Sequence, residues 1–161
     1  MRVALLVLAV CAGVYVWVSS AAMPGMVASH FGPSGVANGF MARASYVRFM
    51  LVLIVALPVT LGVLPGLLLG IPGVRVNLPN RDYWLAPPRR AATIAALQRQ
   101  MAGFALLLLC FLTYVHWLTV RANQTTPPAL PSDWFTYGLI ISTAAMALWA
   151  GALLVRFRLP N

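Results

Sequence analysis

Polar positions in this chain are gathered into a few short segments rather than interspersed among apolar ones. Uncharged, largely apolar runs occupy Val3 to Ala22, Phe49 to Leu69, Gln100 to Val120 and Trp134 to Val155. A helix rises about 1.5 Å per residue and a hydrocarbon core is about 30 Å thick, so each run is long enough to cross a membrane. The pattern predicts an all-α, polytopic membrane protein. Its four transmembrane helices, at about 3–22, 46–69, 98–120 and 134–155, form one bundle in a single domain, 1–161. An outer loop, 23–45, joins the first two helices and a cytoplasmic loop, 70–97, joins the second and third. A short Pro-rich loop, 121–133, joins the last two.

Composition narrows this picture. The chain is 61% hydrophobic and 8% charged, against about a quarter charged in soluble domains, so no sizeable soluble domain remains. The net charge of +9 comes from eleven arginines against Asp82 and Asp133. Eight arginines fall on one side of a four-span model, and Arg43, Arg48 and Arg121 fall on the other. Cytoplasmic loops carry the excess of basic residues, which orients the chain N-in/C-in. The same distribution explains the positive charge without nucleic acid as a partner. Trp17, Tyr46, Trp117 and Trp134 map to the outer membrane surface, where amphipathic rings settle. Ser20-Ala21-Ala22 offers a signal peptidase small residues, but one arginine precedes the first run and the run reads as a retained helix.

Small residues and prolines mark the second span. Gly62, Gly66 and Gly70 recur every four residues, a spacing that lets helices approach closely, and Pro58 and Pro65 introduce kinks. A second small-residue surface, with Ser142, Ala145, Gly151 and Ala152, lies on the fourth span. Cys11 and Cys110 sit inside apolar runs with no metal or redox spacing and are expected as buried small hydrophobes.

Two loops carry polar chemistry. The outer one, "MPGMVASHFGPSGVANGFMARASY", holds turn signals at Gly32-Pro33-Ser34-Gly35 and Asn38-Gly39, which predict a compact loop folded back on the membrane surface. The cytoplasmic one, "VNLPNRDYWLAPPRR", reads as a Pro-punctuated segment followed by a short amphipathic helix. There Asp82 would pair with Arg81, Arg89 or Arg90, and Trp84 and Leu85 would dip into the lipid interface.

The residues of both loops resemble an uncharacterised bacterial membrane domain of unknown function that also forms the N-terminal part of SdpI-like immunity proteins. The resemblance rests on Pro24, His30-Phe31, Gly35, Asn38 and Arg43, and on the Asn-x-Pro-Asn-x-Asp-Tyr-Trp-Leu-Ala-Pro stretch from Asn77 to Pro87. It covers about the first hundred residues. It implies a multi-span protein of the bacterial inner membrane and, through the immunity relatives, toxin protection and sequestering of a repressor. The residues expected to meet a ligand or partner are His30, Phe31, Asn38, Arg43, Asn77, Asn80, Asp82, Tyr83, Trp84 and Arg89.

The chain lacks paired carboxylates, a Walker loop, haem or metal spacings, and any charge within the apolar runs. Enzymatic or transport chemistry is not expected, and no cofactor is implied. His30, His116 and Asp133 map to one membrane face and form the weak candidate for a metal or a proton switch. Two readings stand: an SdpI-like sensor or immunity protein that binds something outside the membrane, or an accessory subunit of a larger membrane complex. The partners to expect are membrane lipid and a protein partner or a second copy of the chain.

Overall fold

The computed structural model describes residues 1–69, 71 and 74–158. Four long helices dominate it: α1 (Arg2–Ala21), α2 (Arg43–Leu68), α4 (Pro87–Ala122) and α5 (Ser132–Arg156), with a single turn, α3 (Arg81–Trp84), before α4. All four are long and apolar enough to cross a membrane, which makes the chain a multi-pass helical membrane protein in which α1 starts and α5 finishes at the same end. The segment between α1 and α2 is more ordered than a compact loop. It forms an antiparallel hairpin of β1 (Met26–Phe31) and β2 (Ala37–Ala42). We call this end of the bundle the hairpin end and the other the terminal end.

The packing of α1, α2 and α4 follows from helical spacing. Leu5, Ala9, Ala12 and Val16 make one buried stripe on α1, and Tyr46, Met50 and Ile54 make another on α2. With Ala105 and Leu109 of α4 and Val27 of the hairpin they form the main core. Small residues allow the closest contacts. A Cβ at Gly62 would collide with Leu5 and lie 2.9 Å from the Cβ of Ala105, and one at Gly66 would collide with the Arg2 guanidinium. The glycine stripe of α2 therefore faces this chain's own α1 and α4. Gly70, the third glycine of that stripe, lies outside the described residues.

Helix α2 widens into a π-helical stretch over Val52–Ala56, where the Leu57 N–H reaches back to the Val52 carbonyl. The stretch ends just before Pro58, which has no N–H to donate and whose ring crowds the carbonyl four residues back. Widening the preceding turn is one way a helix continues through a proline.

Helix α4 corrects the boundary expected for the third span. It runs unbroken through 36 residues, about 54 Å, and so absorbs 87–97, which the sequence pattern assigns to the cytoplasmic loop. Pro87 and Pro88 occupy its first turn, where a missing N–H costs nothing, and the alanines that follow are strong helix formers. Helix α5 packs chiefly on α4 and has no buried residue. Cys11 and Cys110 are exposed on the outer faces of the bundle, contrary to the burial expected for them; those faces are left to lipid.

Candidate functional site

Polar contacts concentrate at the two ends of the bundle. At the hairpin end, turn residues 32–36 are held by a Gly32 N–H to Val36 carbonyl bond of 2.9 Å and a Gly35 N–H to Gly32 carbonyl bond of 2.9 Å. Gly35 has φ +78, a conformation glycine adopts freely. In the strands His30 faces Gly39, and a Cβ there would come within 2.9 Å of the His30 Cβ. The exposed His30 ring bonds through Nδ1 to the Asn38 side-chain oxygen across the hairpin, 2.5 Å away.

The hairpin is tied to the far loop by Asn123, just past the end of α4. Its side chain accepts the Ala28 N–H at 2.8 Å and donates to the carbonyls of Ala28 and Thr119, each at 2.9 Å. Ala28 is fully buried, so Asn123 serves the outward edge of β1 as a neighbouring strand would. Ala37 N–H to Pro128 carbonyl (3.1 Å) and Leu130 N–H to Gly35 carbonyl (2.8 Å) bonds join the turn to the same loop. Arg43 donates through Nη1 to the carbonyls of Ala21 and Met23, at 2.9 and 2.8 Å. It thereby satisfies carbonyls at the C-terminal end of α1, where a cation is favoured.

A cavity of about 600 Å³ opens between the hairpin, α4 and α5. Its lining includes His30, Phe31, Thr119, Ser132, Phe135 and Thr136. Hydroxyls and aromatic rings line it, and His30 is its sole titratable side chain.

His116 lies inside the bundle, fully buried, and not at the membrane surface as its place beside Trp117 suggests. Ser19 Oγ is 2.6 Å from the Tyr15 carbonyl and must donate its proton there. It therefore accepts from His116 Nε2–H at 2.8 Å. That leaves Nδ1 bare to accept the Tyr46 hydroxyl at 2.9 Å. A neutral imidazole thus joins α1, α2 and α4 with both ring nitrogens satisfied. Tyr46, 2% exposed, belongs to this network and not to the surface belt expected of it. The metal candidate fails on the same geometry: His116 points inward while His30 bonds Asn38. No group of three or more possible metal ligands gathers among the described residues.

At the terminal end, the Asn77–Arg89 stretch folds against the last turn of α5. Asn80, in the left-handed region at φ 54, donates from Nδ2 to the Phe157 carbonyl at 3.1 Å. Trp84 Nε1–H donates to the same oxygen at 3.0 Å, and its ring meets the Phe157 ring edge-on at 5.5 Å. Phe157 is 2% exposed and shares a small core with Leu78, Ala96 and Leu97. Arg89 donates from Nε to the Tyr83 carbonyl at 2.9 Å and stacks over the Tyr83 ring at 3.8 Å. Asp82 reaches neither Arg89 nor Arg90; it lies 3.6 Å from Arg81 and its side chain is almost wholly in solvent. Its expected part in anchoring the loop is taken by Asn80 and Trp84. Trp84 is half-buried against protein instead of reaching into lipid.

Sequence reasoning singled out the 23–45 loop and the aromatic stretch but missed Ser19, Tyr15, Asn123 and Phe157. The signals were faint. A Ser-Ser pair in an apolar run and an Asn just past Arg121 carry no spacing that ties them to residues about a hundred positions away.

The arrangement defines a class: a helical, multi-pass membrane protein whose bundle is closed by a hairpin cap at one end and an aromatic clasp at the other. Residues 4–56 match the family described as Domain of unknown function (DUF1648). The matched segment takes in α1, the hairpin with His30, Phe31 and Asn38, and the first half of α2 through the π-helical stretch, and it ends before Asn77. The chain has no significant match among curated proteins or solved structures.

Proposed function

We propose that this protein is a non-enzymatic binding protein of the bacterial inner membrane, of SdpI-like sensor or immunity type, that takes an extracytoplasmic peptide at its hairpin end. The cavity of about 600 Å³ under the hairpin carries the reading. Its size suits a few side chains, and its mix of rings and hydroxyls suits a peptide of low charge. His30, Phe31 and Asn38 would meet the ligand there, while Arg43 holds the hairpin's approach to α2. The cavity is walled by α4 and α5, and the far ends of these helices meet at the Trp84–Phe157 clasp. A ligand that shifts α5 would be felt at Asn80, Tyr83 and Trp84, the surface offered to a cytoplasmic partner or to lipid. His30→Ala should abolish protection or signalling in cells while membrane insertion stays intact; full activity of that variant counts against the reading.

The second reading, an accessory subunit, rests on α5, whose lack of buried residues leaves a long apolar face toward its surroundings. A Cβ at Gly151 would meet nothing within 4 Å, so Gly151→Leu tests that face without disturbing the bundle. The protein would be purified from its native membrane in mild detergent and its companions identified by mass spectrometry. Larger subunits in stoichiometric amount, lost on Gly151→Leu, favour the accessory reading. A chain that travels alone or as a homo-oligomer favours the sensor.

A further inference from the structure

We propose that the groove between the hairpin ends of α1 and α2 is a binding site for the phosphate of an anionic membrane phospholipid, with an acyl chain lying along the two helices below it. The groove holds about 580 Å³ and is lined by Trp17, Ser20, Arg43, Val47, Arg48 and Leu51. Ser20 is 1% exposed and its hydroxyl is unpartnered among the described residues, although a buried hydroxyl ordinarily finds a hydrogen bond. Two guanidiniums stand at the same place. Arg43 uses Nη1 on the Ala21 and Met23 carbonyls, and Arg48 uses Nε on the Ala44 carbonyl and Nη2 on Ser45. The remaining donors, Nε and Nη2 of Arg43 and Nη1 of Arg48, bond no group among the described residues.

Among the described residues no carboxylate pairs with them. Asp82 is paired with Arg81 at the opposite end of the bundle, and Asp133 opens α5, whose main packing partner is α4. Arginine forks fit phosphate oxygens in a bidentate manner. The choice of a lipid over a soluble anion comes from the surroundings. Val14, Val18 and Trp17 of α1 and Phe49 and Val52 of α2 are more than half exposed beside the groove, and such faces on membrane-spanning helices are covered by acyl chains. Val47 and Leu51 continue that apolar surface into the floor. Trp17 sits where an indole ring marks headgroup depth. The site shares no residue with the cavity under the hairpin, so the two proposals fail independently.

Native mass spectrometry of the full chain in detergent tests the site, with phosphatidylglycerol and phosphatidylcholine titrated in turn. One phosphatidylglycerol should be retained in preference to phosphatidylcholine. Arg48→Gln should weaken that retention about fivefold, the effect of one basic charge near an anionic headgroup, and Ser20→Ala should weaken it as well. Arg121→Gln, at the same end but stacked near Trp117, should leave it unchanged. Equal retention of the two lipids, or wild-type retention by Arg48→Gln or Ser20→Ala, overturns the site. Displacement of the lipid by millimolar inorganic phosphate overturns its assignment to lipid.

Discussion

Replacing Asn123 by Ala should loosen the hairpin without dissolving the bundle. The side chain supplies partners to both the N–H and the carbonyl of Ala28, a residue with no solvent exposure. A buried backbone group left unpaired costs about 1–3 kcal/mol, and the lower figure holds where water enters the vacated space. With water reaching at least one of the two groups, the local loss is about 2–4 kcal/mol, the Thr119 carbonyl keeping its place at the helix end in either case. Exchange of the β1 amides proceeds by local opening. At about 1.4 kcal/mol per tenfold, the loss accelerates exchange about 30- to 1000-fold. Hydrogen–deuterium exchange of the detergent-solubilised protein, read on peptides covering 24–40, measures this directly. Peptides from α1 should keep wild-type protection, and Gln124→Ala, at an exposed neighbouring position, should change nothing. Wild-type protection of β1 in Asn123→Ala would refute the idea that a side chain from the far loop completes the hairpin edge.

Two further outcomes follow from the interior. His116→Leu should destabilise the bundle by about 1 kcal/mol, the scale of interhelical hydrogen bonds in membranes, and adding Tyr46→Phe should recover part of it by removing the orphaned hydroxyl. Strict additivity of the two in a denaturation cycle would show that the pair does not interact. Gly62→Ala should cost about 1–3 kcal/mol through its collision with Leu5 and Ala105, whereas Gly151→Ala, in open space, should stabilise α5 by up to about 1 kcal/mol through helix propensity. Denaturant titration in mixed micelles separates the two, and equal effects would contradict the packing described for α2.

The spans were legible because length and apolarity are read directly from consecutive residues. The four runs fall on the four long helices, overrunning them only at Ala22 and Leu69, and the turn residues 32–35 and 38–39 marked the hairpin region. The strands themselves were hidden: β2 reads Ala-Asn-Gly-Phe-Met-Ala, with little β-branching and a glycine opposite His30. Their order comes from partners distant in sequence, chiefly Asn123 and the 128–130 loop. His116 was misplaced for a related reason. A histidine beside a tryptophan near a span end reads as interfacial, and rotation about the helix axis, which one sequence does not state, decides whether the ring faces lipid or the neighbouring helices. The clasp at the other end was half visible, since Asn80 and Trp84 stand in a distinctive stretch while their partner, Phe157, is an ordinary apolar residue at the end of a run.

The weak attachment of α5 connects the two ends. Along its length it contributes no buried residue, and what holds it to α4 is a short series of specific contacts. Gly138 admits the Tyr114 ring, whose hydroxyl donates to the Trp134 carbonyl at 2.6 Å. Trp149 donates to the Gln100 carbonyl at 3.2 Å and packs on Phe104. Phe157 closes the series in the clasp. A helix held by a broad apolar interface resists displacement, because every small motion exposes area or opens voids. A helix held at discrete points against lipid on its other side exchanges one apolar neighbour for another and moves at lower cost. In the proposed mechanism a ligand beneath the hairpin therefore works on the most easily shifted helix of the bundle, through Ser132, Phe135 and Thr136 at one end. The response emerges at Phe157, where Asn80 and Trp84 both bond a single carbonyl and would lose it together.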